Sequence, residues 1–155
     1  MNINIICVGK IKEKYILDGI QEFAKRLQAF GKLKIFELKE DGNDSNRTIS
    51  IEKESKSILE TLEKNKGFKI LLDIQGKNFS SEDMAKQIEK IAINGDSTIN
   101  FIIGGSYGVS NDIRNISDLR LSFSKMTFPH QLMRLILIEQ IYRWFSINKN
   151  TKYHK

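Results

Sequence analysis

The sequence has few of the residues that form disulfides and metal sites. Among its 155 residues are one cysteine, Cys7, and two histidines, His130 and His154. One cysteine excludes an internal disulfide and a multi-cysteine zinc site, and the two histidines lack the spacing of paired metal ligands. We therefore expect no metal site. Because Cys7 lies inside an apolar run, we expect it to pack in the core of a protein from a reducing, cytosolic compartment.

Long hydrophobic runs and a secretory leader are also missing. No apolar run approaches the roughly 18 residues that are needed to cross a bilayer. Residues 1 to 8, MNINIICV, carry neither the basic flank nor the cleavage site of a signal peptide. Both absences predict a soluble, unsecreted, cytoplasmic protein that has no membrane partner.

Acidic residues are scarce only in the last third of the chain. Residues 1 to 100 hold 17 Lys and Arg against 16 Asp and Glu, whereas residues 101 to 155 hold 8 against 3. Nearly all of the net charge of +6 therefore lies in the last third. A basic surplus of this kind indicates that a polyanion such as nucleic acid binds there. The alternative is a basic surface that only keeps the protein soluble.

Apolar runs alternate with amphipathic segments along the chain, and the length suits one domain over residues 1 to 155. We predict strands over 3–8, 33–38, 69–74, 98–103 and 119–123. We predict helices over 15–30, 50–66, from Ser80 to about Ile91, briefly after Ser110, and over 130–145, with a loop at 39–48. The first helix is expected to bury Leu17, Ile20, Ala24, Leu27 and Phe30. This alternation predicts an α/β fold with a mostly parallel sheet and helices on both faces, but not the strand order.

Three loops follow predicted strands at what would be the carboxyl edge of the sheet, where open parallel sheets bind ligands. They span residues 73–79, 104–109 and 124–130. The second loop contains Gly104, Gly105 and Gly108, and glycine lets a ligand approach the main-chain groups because it lacks a Cβ. It is therefore a candidate ligand loop, the alternative being a tight turn between strand and helix.

Several familiar nucleotide and nucleophile patterns do not occur. The stretch from Leu72 to Glu82 contains Gly-Lys but lacks the upstream glycine of a P-loop, and Asn78 stands where Ser or Thr would bind magnesium. The glycine loop does not have the spacing G-x-G-x-x-G, and there is no G-x-S-x-G or Cys-His arrangement. Asp73 at a strand end either orients a ligand or caps the turn.

The last predicted helix is apolar nearly all round. Between Gln131 and Phe145, ten of fifteen residues are apolar, which is too many for one buried stripe. We expect a homodimer that buries the second face, with central placement in a single core as the alternative. The polar residues Arg134, Glu139, Gln140 and Arg143 would then pair across an interface or reach the ligand site. The chain's only proline, Pro129, predicts that this helix begins at Pro129-His130.

Five segments together carry a family resemblance. They are Leu72-Asp-x-x-Gly-Lys-x-x-Ser-Ser-Glu82, Ile103-Gly-Gly-x-x-Gly108, Leu121-Ser-x-Ser-Lys-Met-Thr-Phe-Pro-His-Gln131, Glu139-Gln-x-Tyr-Arg143 and Tyr153-His-Lys155. In this order and spacing they closely resemble the RlmH family of SPOUT methyltransferases over the whole chain. The resemblance implies a homodimer with a C-terminal trefoil knot. It also implies methyl transfer from S-adenosyl-L-methionine to N3 of a pseudouridine in 23S ribosomal RNA, on the assembled ribosome.

The resemblance also implies which residues form the site. The cofactor-binding residues would be Leu72, Gly104, Gly105, Phe123, Ser124, Lys125, Met126, Thr127 and Phe128. For catalysis we choose Arg143, whose guanidinium would stabilise a pyrimidine anion, with a helix salt bridge as the alternative role. Tyr153 and His154 in the tail are expected to close over the substrate, in the same subunit or in its partner. The sequence leaves the identity of the general base open.

Two other functions compete with this one. A non-enzymatic module that binds RNA or the ribosome would keep the α/β shape and the basic face but would have no affinity for the cofactor. An enzyme that uses a dinucleotide is disfavoured by the absence of the G-x-G-x-x-G pattern.

Overall fold

The computed structural model of the chain describes residues 1–42 and 45–155. Its strands are β1 (Asn2–Val8), β2 (Lys32–Leu38), β3 (Phe68–Asn78), β4 (Thr98–Ile103) and β5 (Leu119–Ser122). Its helices are α1 (Lys14–Leu27), α2 (Arg47–Lys64), α3 (Ser81–Ile93), α4 (Asn111–Ile116) and α5 (His130–Asn148). Part of the predicted loop at 39–48, Asn43 and Asp44, lies outside the described residues.

The strands form one sheet in the order β2-β1-β4-β3-β5, and every strand pair in it is parallel. The predicted α/β class with a mostly parallel sheet is therefore confirmed. The strands β1 and β4 lie side by side in the interior of the sheet, where both of their faces are covered. Their nearly continuous runs of Ile, Val and Phe are accordingly buried, as is usual for parallel strands.

Helices cover both faces of the sheet, as predicted. On one face, α1, α3 and α5 bury a large core that includes Ile20, Ile88 and Ile141. On the other face, a smaller core holds Ile58 of α2 and Ile113 of α4 against the sheet. Cys7 belongs to the larger core and is fully buried, so its expected packing role is confirmed. No described helix is both long enough and apolar enough to span a bilayer.

The boundaries of most elements agree with the predictions, and two caps are where the sequence placed them. Ser80 precedes α3 and accepts a hydrogen bond from the Asp83 N–H at 3.0 Å, and α5 begins at His130 directly after Pro129. One prediction about α1 was wrong. Leu17 is 41% exposed, and Ile16 is buried in its place. The other predicted residues agree with the structure, since Ile20 and Leu27 are buried and Ala24 and Phe30 pack partly buried against the same core.

The prediction that residues 73–79 form a loop was also wrong in part. The strand β3 runs to Asn78, but its pairing with β5 is irregular, since both Leu72 and Lys77 lie opposite Leu121. The residues between them bulge out of the sheet. Gly76 is needed there, because a Cβ would lie 2.6 Å from the Arg120 carbonyl oxygen. The bulge pushes Asp73 and its neighbours towards the carboxyl edge.

Candidate active site

A cavity of about 790 Å³ lies at the carboxyl ends of β3, β4 and β5. The three predicted ligand segments meet there, as expected for the edge of an open parallel sheet. We call it the first cavity. Its lining residues are Leu72, Asp73, Ile74, Gln75, Ile103, Gly104, Gly105, Ser106, Gly108, Val109, Arg114, Leu121, Phe123, Ser124, Met126, Thr127, Phe128, Pro129, His130 and Met133. Every predicted cofactor residue except Lys125 is among them, and the side chain of Lys125 is exposed.

The glycine loop after β4 is packed so tightly that side chains are excluded. A Cβ on Gly104 would lie 2.7 Å from Val109 Cγ1, and one on Gly105 would lie 2.5 Å from Glu54 Oε1. Gly108 has a φ of +89° and donates its N–H to the Gly105 carbonyl oxygen at 3.0 Å. The loop is therefore a tight turn that also lines the cavity, and ligand binding by it stays a prediction.

The helix α2 holds this loop from the side away from the cavity. Ser55 is buried, and its hydroxyl oxygen accepts a hydrogen bond from the Ser110 N–H at 2.9 Å. Glu54 is 4% exposed and accepts a hydrogen bond from the Asp41 N–H at 3.0 Å. Burial raises the pKa of the Glu54 carboxyl, and the nearby Glu40 and Asp41 raise it further, against the lowering effect of the Asp41 hydrogen bond.

The segment after β5 forms the opposite wall. Ser122 donates its hydroxyl to the Ser124 carbonyl oxygen at 3.1 Å, and the Ser124 hydroxyl oxygen accepts from the Met126 N–H at 3.0 Å. These bonds fold the segment back on itself. They place Phe123 half-buried at the base, while Met126 is 73% exposed at the rim. With Leu72 from β3, this wall offers apolar surfaces between which a flat ring can stack.

Asp73 caps the bulge and is paired with two arginines at the rim of the first cavity. It accepts the Gln75 N–H at 3.0 Å and lies 2.8 Å from Arg120 Nη2 and 3.5 Å from Arg114 Nε. Desolvation acts to raise the pKa of Asp73, but the Gln75 hydrogen bond and the two arginines outweigh it and lower the pKa. The turn-capping role considered for Asp73 is therefore real, and the side chain also lines the cavity.

Sequence reasoning missed several residues of the cavity wall. Arg114 and Met133 belong to α4 and α5, and the sequence contains no spacing that associates them with the glycine loop. His130, the last residue of the predicted ligand loop at 124–130, begins α5 and also lines the cavity. Among the described residues, no three His, Cys, Asp or Glu side chains converge as metal ligands do.

The three predicted catalytic residues meet at the other end of α5. Arg143 binds Glu139 Oε1 through Nη2 at 2.6 Å and Nε at 3.1 Å, and Tyr153 donates its hydroxyl to the same oxygen at 2.9 Å. Arg143 Nη1 lies 3.1 Å from His154 Nδ1, and His154 Nε2 lies 2.6 Å from Glu82 Oε1. The salt bridge considered as the alternative role for Arg143 thus exists. We call these five residues the tail cluster.

The contacts within the tail cluster indicate the tautomer of His154 and the state of the Tyr153 phenol. Arginine only donates hydrogen bonds, so His154 Nδ1 accepts and the proton lies on Nε2, which donates to Glu82. The pKa of Tyr153 is raised by burial and by its hydrogen bond to Glu139, so the phenol stays protonated at neutral pH. Neither side chain therefore has a free basic atom in this arrangement. To accept a proton, either one would have to leave these partners.

The tail cluster does not line the first cavity. His130, at the start of α5, does line it, and Arg143 lies about 20 Å further along the helix axis at roughly 1.5 Å per residue. The chain therefore presents the cavity and the three candidate catalytic residues at opposite ends of the same helix.

Comparisons with a family model and with known proteins indicate the same family. A family model described as "Predicted SPOUT methyltransferase" matches residues 1–154. A protein of Fusobacterium nucleatum named ribosomal RNA large subunit methyltransferase H is 59% identical, with 100% of both chains covered. A protein of Clostridioides difficile with the same name is 49% identical, again over the full length of both. A putative enzyme of this name from Methanococcus maripaludis is 52% identical over 100% of both chains.

One solved structure is similar in fold. It is a probable methylase family protein from Haemophilus influenzae Rd KW20, which superposes with a TM-score of 0.55 at 12% sequence identity. The match covers 99% of this chain and 70% of that one. At this low identity the likeness concerns the fold alone, and it agrees with the parallel sheet described above.

Proposed function

The chain belongs to the SPOUT methyltransferase family, and from that premise we propose that it methylates N3 of a pseudouridine in large-subunit ribosomal RNA. The observation that carries the proposal is the full-length match to relatives named ribosomal RNA large subunit methyltransferase H. The basic surplus of residues 101 to 155 supports an RNA substrate. The family membership also speaks against the two competing functions, a non-enzymatic RNA-binding module and an enzyme that uses a dinucleotide.

The first cavity suits S-adenosyl-L-methionine, the methyl donor of this family. It combines apolar walls for a flat ring with a backbone edge on which no Cβ fits, at Gly104 and Gly105. We infer that Leu72, Phe123 and Met126 contact the adenine and that the main-chain groups of the glycine loop bind its edge. When bound, the donor supplies an electrophilic methyl group. Lys125 is exposed and does not line the cavity, so it is the weakest member of the predicted set.

The tasks that remain for the protein are alignment and control of charge. Pseudouridine N3 carries a proton, so a base must remove it before or as the new N–C bond forms. We propose that Arg143 stabilises the resulting negative charge on the ring. The hydrogen bond to Glu139 raises the pKa of Arg143, so the guanidinium remains charged at any pH at which the enzyme works. His154 and Tyr153 would close over the base after leaving Glu82 and Glu139.

We further propose that the protein is a homodimer that works on the assembled ribosome. The helix α5 packs against α1 and α3, yet Leu132 and Leu135 on it are only partly buried within one chain. On α1, Tyr15 is 65% exposed. A second subunit on this side would cover these residues. It would also bring a second tail cluster, so that either subunit's Arg143 is available to a given cofactor cavity.

The reaction is tested by incubating the protein with methyl-labelled S-adenosylmethionine and either assembled ribosomes or naked rRNA. We expect incorporation into the large subunit of assembled ribosomes, with mass spectrometry locating the label on N3 of one pseudouridine. The residue-level test compares Arg143→Ala and deletion of residues 153–155 with the unaltered protein. Both changes should reduce the rate at least a hundredfold while cofactor affinity, measured by calorimetry, stays within about twofold. An unchanged rate for Arg143→Ala at normal cofactor and ribosome binding excludes its proposed role.

A further inference from the structure

A second, smaller cavity lies beside the first. It has a volume of about 280 Å³, roughly a third of the 790 Å³ of the first cavity. Its walls come from the end of β3, the start of α3, the end of β5 and α5. The residues are Phe79, Ser80, Ser81, Met84, Leu121, Phe123, Phe128, Ile136, Gln140 and Trp144. Ile136, Gln140 and Trp144 repeat every four residues, so one face of α5 forms the floor.

The second cavity lies between the first cavity and the tail cluster. It shares Leu121, Phe123 and Phe128 with the first cavity, so the two are separated only by common side chains. On its other side, the Gln140 side chain donates from Nε2 to Glu139 Oε2 at 2.8 Å. Glu139 in turn holds Arg143. A group bound in the second cavity would therefore contact the wall of the donor site and, through Gln140, the proposed catalytic network.

The walls combine aromatic surface with hydrogen-bond donors. Phe79, Phe123, Phe128 and Trp144 supply flat apolar faces, and Phe123 and Trp144 meet edge to face with centroids 6.5 Å apart. Ser81 donates its hydroxyl to Gln140 Oε1 at 2.8 Å, which orients the amide and leaves one N–H of Gln140 Nε2 unused. Trp144 is 2% exposed, and its Nε1 is a buried donor that has no partner among the described residues. A buried donor without an acceptor is costly, so this wall suits a ligand that brings acceptors.

A pyrimidine base has this chemistry. The uracil ring of pseudouridine is flat and carries a carbonyl oxygen on each side of N3, and both oxygens are acceptors. An enzyme that modifies a base must take it out of the stack and hold it in a fitted pocket. The second cavity is too small for a nucleotide cofactor beside the larger one, but its size and its donors suit one ring.

We propose that the second cavity binds the acceptor pyrimidine after it turns out of the RNA, with Gln140 and Trp144 donating to its carbonyl oxygens. This inference rests on the proposed function and names the acceptor site within it. Phe123 and Phe128 would then contact the methyl donor on one side and the base on the other. The base would lie next to Gln140, the residue that joins the cavity to Glu139 and Arg143.

Trp144 provides a direct test, because it is the only tryptophan in the chain. Titration with the free nucleoside pseudouridine should change the Trp144 fluorescence saturably, in the absence of any methyl donor. Ile136→Phe adds bulk to a residue that lines the second cavity and not the first, and should weaken this response at least tenfold. Ile147→Phe, a matched change at a half-buried α5 residue that lines neither cavity, should leave it unaltered.

The same pair of variants is then compared in single-turnover methylation of ribosomes. We expect Ile136→Phe to be at least tenfold slower, with S-adenosylmethionine affinity by calorimetry and melting temperature close to those of Ile147→Phe. A normal rate for Ile136→Phe overturns the proposal, whatever the nucleoside titration gives. A parallel loss of S-adenosylmethionine affinity in Ile136→Phe also overturns the proposal, because the second cavity would then hold part of the methyl donor. If the unaltered protein methylates no ribosomal pseudouridine, the proposed function fails, and the fluorescence response alone decides whether the cavity binds a pyrimidine.

Discussion

At the scale of single residues, contacts around the glycine loop determine how closely a ligand can approach the end of β4. Gly104 lies against Val109 and the Gly108 backbone, while Gly105 lies against the carboxylate of Glu54. Glu54 and Ser55 come from α2, on the opposite side of the sheet from α5. The loop is thus a thin layer between a buried carboxylate and the proposed donor site, and its geometry depends on both.

Replacement of Gly104 by alanine should damage cofactor binding. The new Cβ would lie 2.7 Å from Val109 Cγ1 and 3.2 Å from the Gly108 carbonyl oxygen, so the loop backbone must shift. We expect at least a tenfold loss of S-adenosylmethionine affinity, which corresponds to about 1.4 kcal/mol. Calorimetric titration measures it. Gly42→Ala is the control, because no atom of the part of the chain that the structure describes lies within 4 Å of the added Cβ. Equal affinities of the two variants would show that the loop adapts freely.

Glu54 should make stability depend on pH in a definite direction. Its pKa is raised in the folded protein, chiefly by burial, so folding favours the protonated carboxyl. The stabilisation by the protonated form is complete below the unfolded pKa of about 4.3 and is lost as the pH rises through the higher folded pKa. Glu54→Gln keeps an acceptor for the Asp41 N–H but carries no charge.

We expect the free energy of unfolding of Glu54→Gln, relative to the unaltered protein, to increase as the pH rises from 4 towards 7. Urea unfolding at several pH values measures this difference. Glu60→Gln, on the exposed face of the same helix, serves as the control. If the free energy of unfolding of Glu54→Gln relative to the unaltered protein instead falls as the pH rises, the pKa of Glu54 is not raised by folding.

At the scale of elements, α5 is fixed to the sheet by one buried arginine. Arg134 is 1% exposed, pairs with Glu37 at 2.7 Å and donates to the carbonyl oxygens of Gly9 at 3.0 Å and Val8 at 3.4 Å. These partners lie at the carboxyl ends of β1 and β2, next to the start of α5. From the sequence, Arg134 was predicted to pair across a subunit interface or reach the ligand site, whereas Glu37, Gly9 and Val8 all lie within its own chain.

Arg134→Met should therefore destabilise the fold. Two carbonyl oxygens lose their donor and Glu37 loses its counter-ion, so we expect a loss of about 2–4 kcal/mol in the free energy of unfolding. Arg26→Met is a suitable control, since Arg26 forms an exposed pair with Glu22 on α1 that is worth at most about 1 kcal/mol. Urea unfolding compares the two. Equal losses would mean that burial adds nothing to the contribution of Arg134.

The elements also show how far the sequence can be interpreted. Strand β4 and the start of α5 agree with prediction because an apolar run and a Pro-His pair are local signals. The continuation of β3 to Asn78 was missed, since its second half is polar and is held by pairing with β5. That pairing joins residues far apart in the chain, and no local pattern encodes it. Gly76 was the one visible hint of a close backbone approach.

At the scale of the whole molecule, the exposed apolar residues of α1 and α5 are the surface where we predict that a second subunit binds. Leu17 is 41% exposed on α1, on the side of the sheet where α5 lies. Ile93, at the end of α3, is 77% exposed and offers a matched apolar position elsewhere. A charge at either position costs the isolated fold little, because both side chains already contact water.

We expect light scattering after gel filtration to give about twice the chain mass of 17.9 kDa for the unaltered protein. Leu17→Glu should shift the protein towards monomer, whereas Ile93→Glu should leave the dimer intact. The charge at position 17 would have to be desolvated in the interface, and the one at position 93 would not. Dissociation by Ile93→Glu alone would place the interface on α3 instead. The threading of the C-terminal knot, which the family implies, stays a prediction at this scale.

The sequence alone determined the alternation of strands and helices, the burial of Cys7, the glycine loop at the end of a strand and the family, because each depends on local pattern or on motif order. The tertiary structure alone decided the strand order, the bulge after Leu72, the support of the loop by Glu54 and Ser55, and the second cavity between the donor site and the tail cluster. These features arise from contacts between residues distant in the chain. Such contacts depend on which elements become neighbours when the sheet assembles, and that information is not present in any single segment.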